Sequence, residues 1–251
     1  MKAMVLAAGL GTRLRPLTND RPKALVEVGG RTLLEIALER LRTFGVREVI
    51  VNTHYFAEMI PEFLAKHKNF GMRIEISHEE ILLDTGGGLK KAAWFFLEGG
   101  AEPFLLHNVD VISTIDLAAM VRFHIEVSAL ATLAVQNRAT SRPLLFDEDG
   151  ELCGRRLERE GKTEMARATE HAEPLAFAGI HVISPRIFSE LTEEGVFSMI
   201  PAYLRLAGEG RKISAFRADA YRWRDLGKPE HLKQAELEIQ EGERAGNPAR
   251  S

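Results

Sequence analysis

The chain has 251 residues, 45% of them hydrophobic and 27% charged, with a formal net charge of -3. That length buries one sizeable core, the composition excludes a disordered or fibrous class, and the weak negative charge excludes a general nucleic-acid binder. The single Cys153 excludes an internal disulfide, no Cys/His cluster has zinc spacing, and no apolar run approaches a membrane span, so a cytoplasmic protein is expected.

The apolar run from Ala3 to Ala8 reads as a buried first strand rather than a leader segment, because it is short and empties at once into Gly9-Leu10-Gly11-Thr12-Arg13. Gly9 and Gly11 let peptide N–H groups approach an anion with no Cβ in the way. Arg13 adds a fork for bidentate oxygen contacts, and Lys23 a compact point charge. A dinucleotide fingerprint requires a third glycine where Leu14 stands, and a Walker loop requires Gly-Lys-Ser/Thr. Neither standard nucleotide loop fits, which disfavours a dehydrogenase.

A short strand over 25–28 and a turn at Gly29-Gly30 precede a helix through Phe44, for which Thr32 and Glu35 form a capping-box pattern. Strands follow over 48–52 and 73–77, with a helix over 55–67 between them. This alternation implies right-handed crossovers and a mostly parallel sheet, with ligands held beyond the carboxyl ends of the strands. After the third strand comes a segment from Ser77 to Gly88 that holds Glu79 and three consecutive glycines opening a helix over 89–97. Glycines at a helix mouth allow close backbone approach to a flat ligand.

The fourth strand, over 103–108, ends in Val109-Asp110. A carboxylate there is placed to hold magnesium, or equally to cap a turn or helix. Next are a helix over 116–126, a strand over 129–135, a hairpin of 144–146 with 151–153, and a charged stretch over 155–173 that reads as an exposed excursion with no chemistry. A strand over 175–183 carries Gly179 and His181, the histidine reading as a hydrogen-bonded strand residue. Ser184-Pro185 starts a helix. A helix over 197–207, a strand over 212–216 and a final helix over 229–240 complete one α/β domain, 1–240, followed by a polar tail, 241–251.

Gly9, Gly11, Thr12, Arg13, Pro16, Leu17, Thr18, Pro22 and Lys23 match in order the signature Gly-x-Gly-Thr-Arg-x-x-Pro-Leu-Thr, a short gap, then Pro-Lys. On these residues the chain resembles the sugar-1-phosphate nucleotidyltransferases. Trp223, Asp225, Gly227 and Pro229 match that family's late Trp-x-Asp-x-Gly-x-Pro segment, so the resemblance spans Lys2 to about Pro229. It implies a single-domain, Rossmann-like (GT-A-like) fold with a mostly parallel central sheet flanked by helices. It also implies an enzyme that moves a nucleoside monophosphate from a nucleoside triphosphate to a sugar 1-phosphate, releasing pyrophosphate, with Mg2+ as cofactor.

Residue by residue, the resemblance assigns the nucleotide to Ala8, Gly9, Gly11, Thr12, Arg13, Glu79, Gly86 and Gly87, and catalysis to Arg13 and Lys23. The sugar falls to Asn108 and Gly179, and the metal to Asp110 and Asp225. The family's Asn/Asp-Gly-Asp stands here as Asn108-Val109-Asp110, with Val109 replacing the glycine. A short chain carrying Asp84-Thr85-Gly86-Gly87-Gly88 implies UTP and N-acetylmuramate 1-phosphate as substrates. GTP with mannose 1-phosphate, or phosphocholine cytidylyltransferase-like chemistry, are the alternatives. A non-catalytic nucleotide-sensing subunit is a different class, opposed by the joint presence of Arg13, Lys23, Asp110 and Asp225. The expected partners are the two small substrates, with no nucleic acid and no membrane, in a monomer or small homo-oligomer.

Overall fold

The computed structural model describes residues 1–98 and 100–246. The first half of the chain forms β1 (Lys2–Leu6), β2 (Glu27–Val28), β3 (Arg31–Thr32), α1 (Leu33–Thr43), β4 (Glu48–Thr53), α2 (Met59–Lys66), β5 (Arg73–His78), α3 (Asp84–Lys91), α4 (Ala93–Leu97), β6 (Phe104–Asn108), β7 (Val111–Ser113) and α5 (Leu117–Glu126). The second half forms β8 (Ala131–Gln136), β9 (Leu144–Phe146), β10 (Leu152–Leu157), β11 (Lys162–Met165), β12 (Glu173–Ile183), α6 (Ile187–Glu190), α7 (Met199–Gly208), β13 (Ile213–Arg217), β14 (Trp223–Asp225) and α8 (Pro229–Gly246).

Ala3 and Val5 of β1 pack on one face of the sheet with α1, α2, α5 and α8, while Met4 packs on the other with α3, α4, α6 and α7. A strand covered on both faces must be apolar at successive rather than alternate positions, which is why β1 reads as an unbroken apolar run. At the start of α1 the Thr32 hydroxyl accepts from the Glu35 N–H at 3.1 Å, and Leu34, Ala37, Leu38 and Leu41 form its buried stripe.

Ten strands of the described residues form one mixed sheet whose main path runs β11-β10-β9-β12-β6-β1-β4-β5, with β8 pairing β12 and β13 beside it. The stretch β6-β1-β4-β5 is parallel, as its alternation with helices requires, and β12 returns antiparallel to β6. The register sets Leu6 between Asn52 and Asn108, and Asn52 beside Ser77. One row across the carboxyl edge therefore launches the loops in which ligand-binding residues are expected. A separate antiparallel ribbon pairs β7 with β14, putting Asp225 opposite Val111.

Several elements differ from the sequence expectation. Phe56 takes a φ of 51°, which interrupts a helical run, so α2 begins only at Met59. The strand expected over 25–28 shortens to β2, because Lys23–Leu25 closes into a 3-10 turn. The helix expected from Leu89 starts at Asp84, with the three glycines inside its first turns. The charged stretch over 155–173 is sheet edge: β10 runs on to Leu157, pairs antiparallel with β11, and β12 starts at Glu173. An edge hairpin hydrated on its outer side carries charges in place of an apolar alternation, here with Arg155 and Glu164 paired across the strands at 2.6 Å. The final helix continues to Gly246, so the tail expected from 241 is helical that far, and 247–251 lie outside the described residues. Among the described residues, no helix is long and apolar enough to cross a membrane.

Candidate active site

Past Leu6 the chain leaves the sheet, and Gly11, at a φ of 62°, starts the short 3-10 turn Thr12–Leu14. A Cβ on Gly11 would lie 2.9 Å from both Lys23 Cβ and Thr18 Cγ2, and the Thr18 hydroxyl donates to the Gly11 carbonyl at 3.0 Å. The glycine thus lets the Pro22-Lys23 segment fold back against the loop, which carries Lys23 to the end of β6. There its Nζ donates to Oδ2 of Asp110 in a short contact, with both side chains largely buried. Sequence reasoning set Lys23 against phosphate; in this structure its partner is a carboxylate.

The second carboxylate arrives on β14. The Leu226 N–H donates to the Asp110 carbonyl at 2.8 Å, and the Gly227 N–H to Oδ1 of Asp225 at 2.6 Å. The space left by the missing side chain of Gly227 is the centre of the arrangement. A Cβ there would lie 2.7 Å from Asp225 Oδ1, 2.8 Å from Arg13 Nη2 and 3.2 Å from Asp110 Oδ2. Two carboxylates and a guanidinium, contributed by three remote segments, therefore converge on one point, and Lys23 contacts the same Asp110 Oδ2 that faces it. Among the described residues, no group of three or more His, Cys, Asp or Glu side chains is arranged around a metal position. Two hard oxygen donors around a glycine cradle fit a cation of the magnesium type, which takes one or two carboxylates and keeps the rest of its shell for water and phosphate oxygens.

A cleft of about 500 Å³ opens beside this point, lined among others by Ala8, Gly9, Lys23, Asp84, Thr85, Asn108, Asp110 and Val196. Nothing lies within 4 Å of where a Gly9 Cβ would stand, so the loop peptide is open to a ligand there. Gly11, Thr12, Arg13, Gly86, Gly87, Gly179 and Asp225 are not among its lining residues. Arg13 and Asp225 border it only through the Gly227 cradle, and Gly11 acts from behind the loop. A wider cleft of about 800 Å³ lies between the 16–27 segment and α8, and none of the expected site residues lines it.

At several of the expected positions the structure shows contacts within the chain. A Cβ on Gly86 would lie 2.3 Å from the Phe197 ring, and one on Gly87 2.3 Å from the Gly195 carbonyl oxygen. Both glycine N–H groups donate to the Phe197 carbonyl, at 2.9 and 3.1 Å, so on that side these glycines admit a segment of their own chain. Glu79 lines the cleft together with Asn52, but it has no surface exposed to water; its Oε1 accepts from Asn52 Nδ2 at 2.8 Å and its Oε2 from the Leu83 N–H at 2.9 Å, so both oxygens are already engaged within the wall. Gly179, at a φ of 75° where the β12–β8 register shifts, leaves room that Asn108 Nδ2 and Val111 Cγ2 already occupy, each 2.9 Å from its would-be Cβ.

Sequence reasoning missed three contributors. Gly227 entered only as a motif match, Asn52 only as the end of a strand, and Arg138 not at all. The Arg138 guanidinium lies 3.7 Å from the centroid of the Trp223 ring and donates to the Phe177 carbonyl at 2.8 Å, while Trp223 Nε1 donates to the Ala178 carbonyl at 2.7 Å. Burial pushes the Arg138 pKa down, and the Asp225 carboxylate opposes that shift. Its one signal in the sequence is its place just past a carboxyl end, two residues beyond β8. His107, within electrostatic reach of Asp110, is lowered to about 4 by burial and is neutral at physiological pH, with Nδ1 donating to the Asn108 carbonyl at 2.8 Å.

The sequence profile of the nucleotidyl transferase family matches residues 2–144. The chain belongs to that family. N-acetylmuramate alpha-1-phosphate uridylyltransferase of Caulobacter vibrioides is 37% identical to this nucleotidyltransferase over 95% of its length and 97% of the relative's. A probable mannose-1-phosphate guanylyltransferase of Oryza sativa subsp. japonica is 30% identical over 91% of this chain, which spans 62% of that longer protein. Two solved structures share the fold across almost the whole chain. One is HddC from Yersinia pseudotuberculosis complexed with GMP-PN, with a TM-score of 0.74 and 21% identity over 95% of this chain and 99% of that one. The other is UDP-glucose pyrophosphorylase complexed with UDP-glucose, with a TM-score of 0.76 and 18% identity over 96% and 98%. The expected enzyme class, a sugar-1-phosphate nucleotidyltransferase on a Rossmann-like α/β fold, is the class of these relatives.

Proposed function

We propose that this nucleotidyltransferase transfers the uridylyl group of UTP to N-acetylmuramate 1-phosphate, in a cytoplasmic setting, as a monomer or small homo-oligomer. The observation that carries the reaction class is the meeting of Arg13, Lys23, Asp110 and Asp225 around Gly227, at the mouth of a cleft floored by a glycine loop. The choice of substrates is supported by the relative of that activity, which matches nearly end to end. The buried, free Cys153 agrees with a reducing compartment.

Asp110 and Asp225 would hold Mg2+, which when bound supplies charge neutralisation to phosphate oxygens. The open peptide at Gly9 receives the triphosphate, and Arg13, its Nη2 beside the carboxylate pair, offers its fork to phosphate oxygens. Lys23 exchanges Asp110 for phosphate as negative charge enters the cleft. A phosphate monoester loses its second proton near a pKa of about 6, so the attacking oxygen needs no general base from the chain. That oxygen bonds to the α-phosphorus as the bond from it to the bridging oxygen of the β-phosphate breaks, and pyrophosphate leaves. The task of the chain is alignment and charge balance.

A panel of UTP, GTP, CTP, dTTP and ATP against N-acetylmuramate 1-phosphate, mannose 1-phosphate and phosphocholine, followed by pyrophosphate release, tests the reading. The fastest turnover is expected with UTP and N-acetylmuramate 1-phosphate. A maximum with GTP and mannose 1-phosphate would move the assignment to the activity of the second relative, and no pyrophosphate with any pair would leave a nucleotide sensor.

A further inference from the structure

Within the wall of the cleft, which Asn52 and Glu79 help to line, runs a chain of hydrogen bonds that no step of the reaction uses. Oδ1 of Asn52 accepts from the N–H groups of Ala7 and Ala8, at 2.7 and 3.3 Å. Its Nδ2 donates to Oε1 of Glu79 at 2.8 Å, and Oε2 of Glu79 accepts from the Leu83 N–H at 2.9 Å. The orientation of the Asn52 amide follows from chemistry alone, since a peptide N–H can only donate and a carboxylate can only accept. The chain is almost sealed from water, with Asn52 3% exposed and Glu79 0%. It is also built to fit, because a Cβ on Gly88 would fall 2.6 Å from Glu79 Oε1 and 3.1 Å from Asn52 Nδ2.

The two ends of this chain are the two rims of the cleft. Ala7 and Ala8 lead into the glycine loop on one side, while Leu83 lies within the stretch Leu82 to Thr85 on the other, and both stretches line the cleft. We propose that Asn52 and Glu79 are positioning residues that set the separation of the two rims, and thereby the fit of the nucleotide. The proposal rests on reading the cleft as the nucleotide site. It explains why the buried acid is a glutamate: both oxygens face donors, and a glutamine would turn its NH2 against one of them. It also accounts for the third glycine of the Gly86-Gly87-Gly88 run, which admits the carboxylate.

Polarity reversal gives a decisive test. Glu79→Gln alone sets a donor against a donor, and Asn52→Asp alone sets a carboxylate oxygen against another. In Asn52→Asp/Glu79→Gln every bond is restored with the middle one reversed: the introduced carboxylate accepts from Ala7, Ala8 and the introduced amide, whose oxygen accepts from Leu83. A buried unmet group costs enough to weaken UTP binding about tenfold in each single variant, with recovery to within about threefold of wild type in the double.

Positioning predicts that the KM for UTP rises while kcat stays within about twofold, because neither residue touches the reacting phosphate. Loss of folded enzyme alone would lower kcat and leave KM unchanged. Amide exchange in the ligand-free protein tests the coupling even if UTP proves not to bind, which would instead sink the nucleotide reading. Glu79→Gln should speed exchange at Ala7, on the opposite rim, and the double variant should restore it. Wild-type UTP affinity with unchanged Ala7 exchange in Glu79→Gln, or a double variant no better than the worse single, overturns the proposal. Should the singles fail to fold, the double decides alone: folding with near-normal affinity supports the pair, and failure to fold or weak affinity overturns it.

Discussion

Gly227 is the residue at which the site can be closed by a single methyl group. With Asp225, Arg13 and Asp110 all within 2.7 to 3.2 Å of its would-be Cβ, Gly227→Ala must push the carboxylates apart or move β14. A displacement of that size at a reacting centre costs on the order of a hundredfold in turnover. The expected result is that loss together with weaker Mg2+ binding by calorimetry and an unchanged melting temperature; normal turnover would exclude the cradle from the mechanism. Lys23→Ala should lower turnover by roughly a hundredfold in a folded protein, in line with the removal of one preorganised charge. Asp110→Asn and Asp225→Asn should each abolish most metal-dependent turnover, and their combination should be little worse than either, because residues that act as a unit are not additive. Additive losses in magnesium titrations would separate the two carboxylates into different sites.

Among the elements, α3 has the sequence least suited to its conformation. Glycines weaken a helix, yet Gly86, Gly87 and Gly88 sit in its first turns because each leaves space that another part of the fold fills. Gly86→Ala would drive a methyl into the Phe197 ring and destabilise the protein by about 1–3 kcal/mol, despite the higher helix propensity of alanine. Urea unfolding checks it, and Phe197→Ala in the same background should return part of the loss, since the two positions are in contact. A gain in stability from Gly86→Ala would return these glycines to ligand contact. The β7–β14 ribbon is the other element with a decisive task, because its three pairs carry a distant segment to the end of β6.

Across the whole molecule, three buried histidines are held without charge, two of them tying a helix to the sheet. His181 Nδ1 bonds the Tyr203 hydroxyl of α7 at 2.9 Å, His124 Nδ1 of α5 bonds the Thr132 hydroxyl at 2.9 Å, and His107 lies within β6. Burial lowers their pKa values from 6.5 to about 3, about 4 and about 4 respectively. Unfolding frees each to take up a proton below pH 6.5, so stability is complete above that value and is lost as the pH falls from 6.5 towards 4. Each contributes a slope of about 1.4 kcal/mol per pH unit within its window. The carboxylates of Asp147 and Glu193 lie below their ordinary values of 3.8 and 4.5, so their contribution fades only as the pH falls below those values, outside the range from 7 to 5. Urea titrations from pH 7 to 5 should show this fall, and His124→Gln should reduce its slope by one proton; a flat profile over that range would refute the histidine account.

The sequence by itself determined what depends on neighbours along the chain. β1 is apolar at successive positions, α1 opens on Thr32 and Glu35, and Gly9 to Lys23 carries a loop chemistry legible in order. The loop motif carries the resemblance to the nucleotidyltransferases, and that resemblance, with the Asn108-Val109-Asp110 and Trp223 to Pro229 segments, is what points to Lys23, Asp110 and Asp225, because motif spacing is a one-dimensional fact. Only the tertiary structure decided what the glycines admit, that Glu79 is a buried strut, that residues over 155–173 form a sheet edge, and that Arg138 stacks on Trp223. A glycine reads the same in sequence whether its vacant side faces a ligand, a ring or a carboxylate. Which of these fills it is set by the packing of segments remote in the chain, and Gly227 marks the centre of the site only because β14 folds back onto β7.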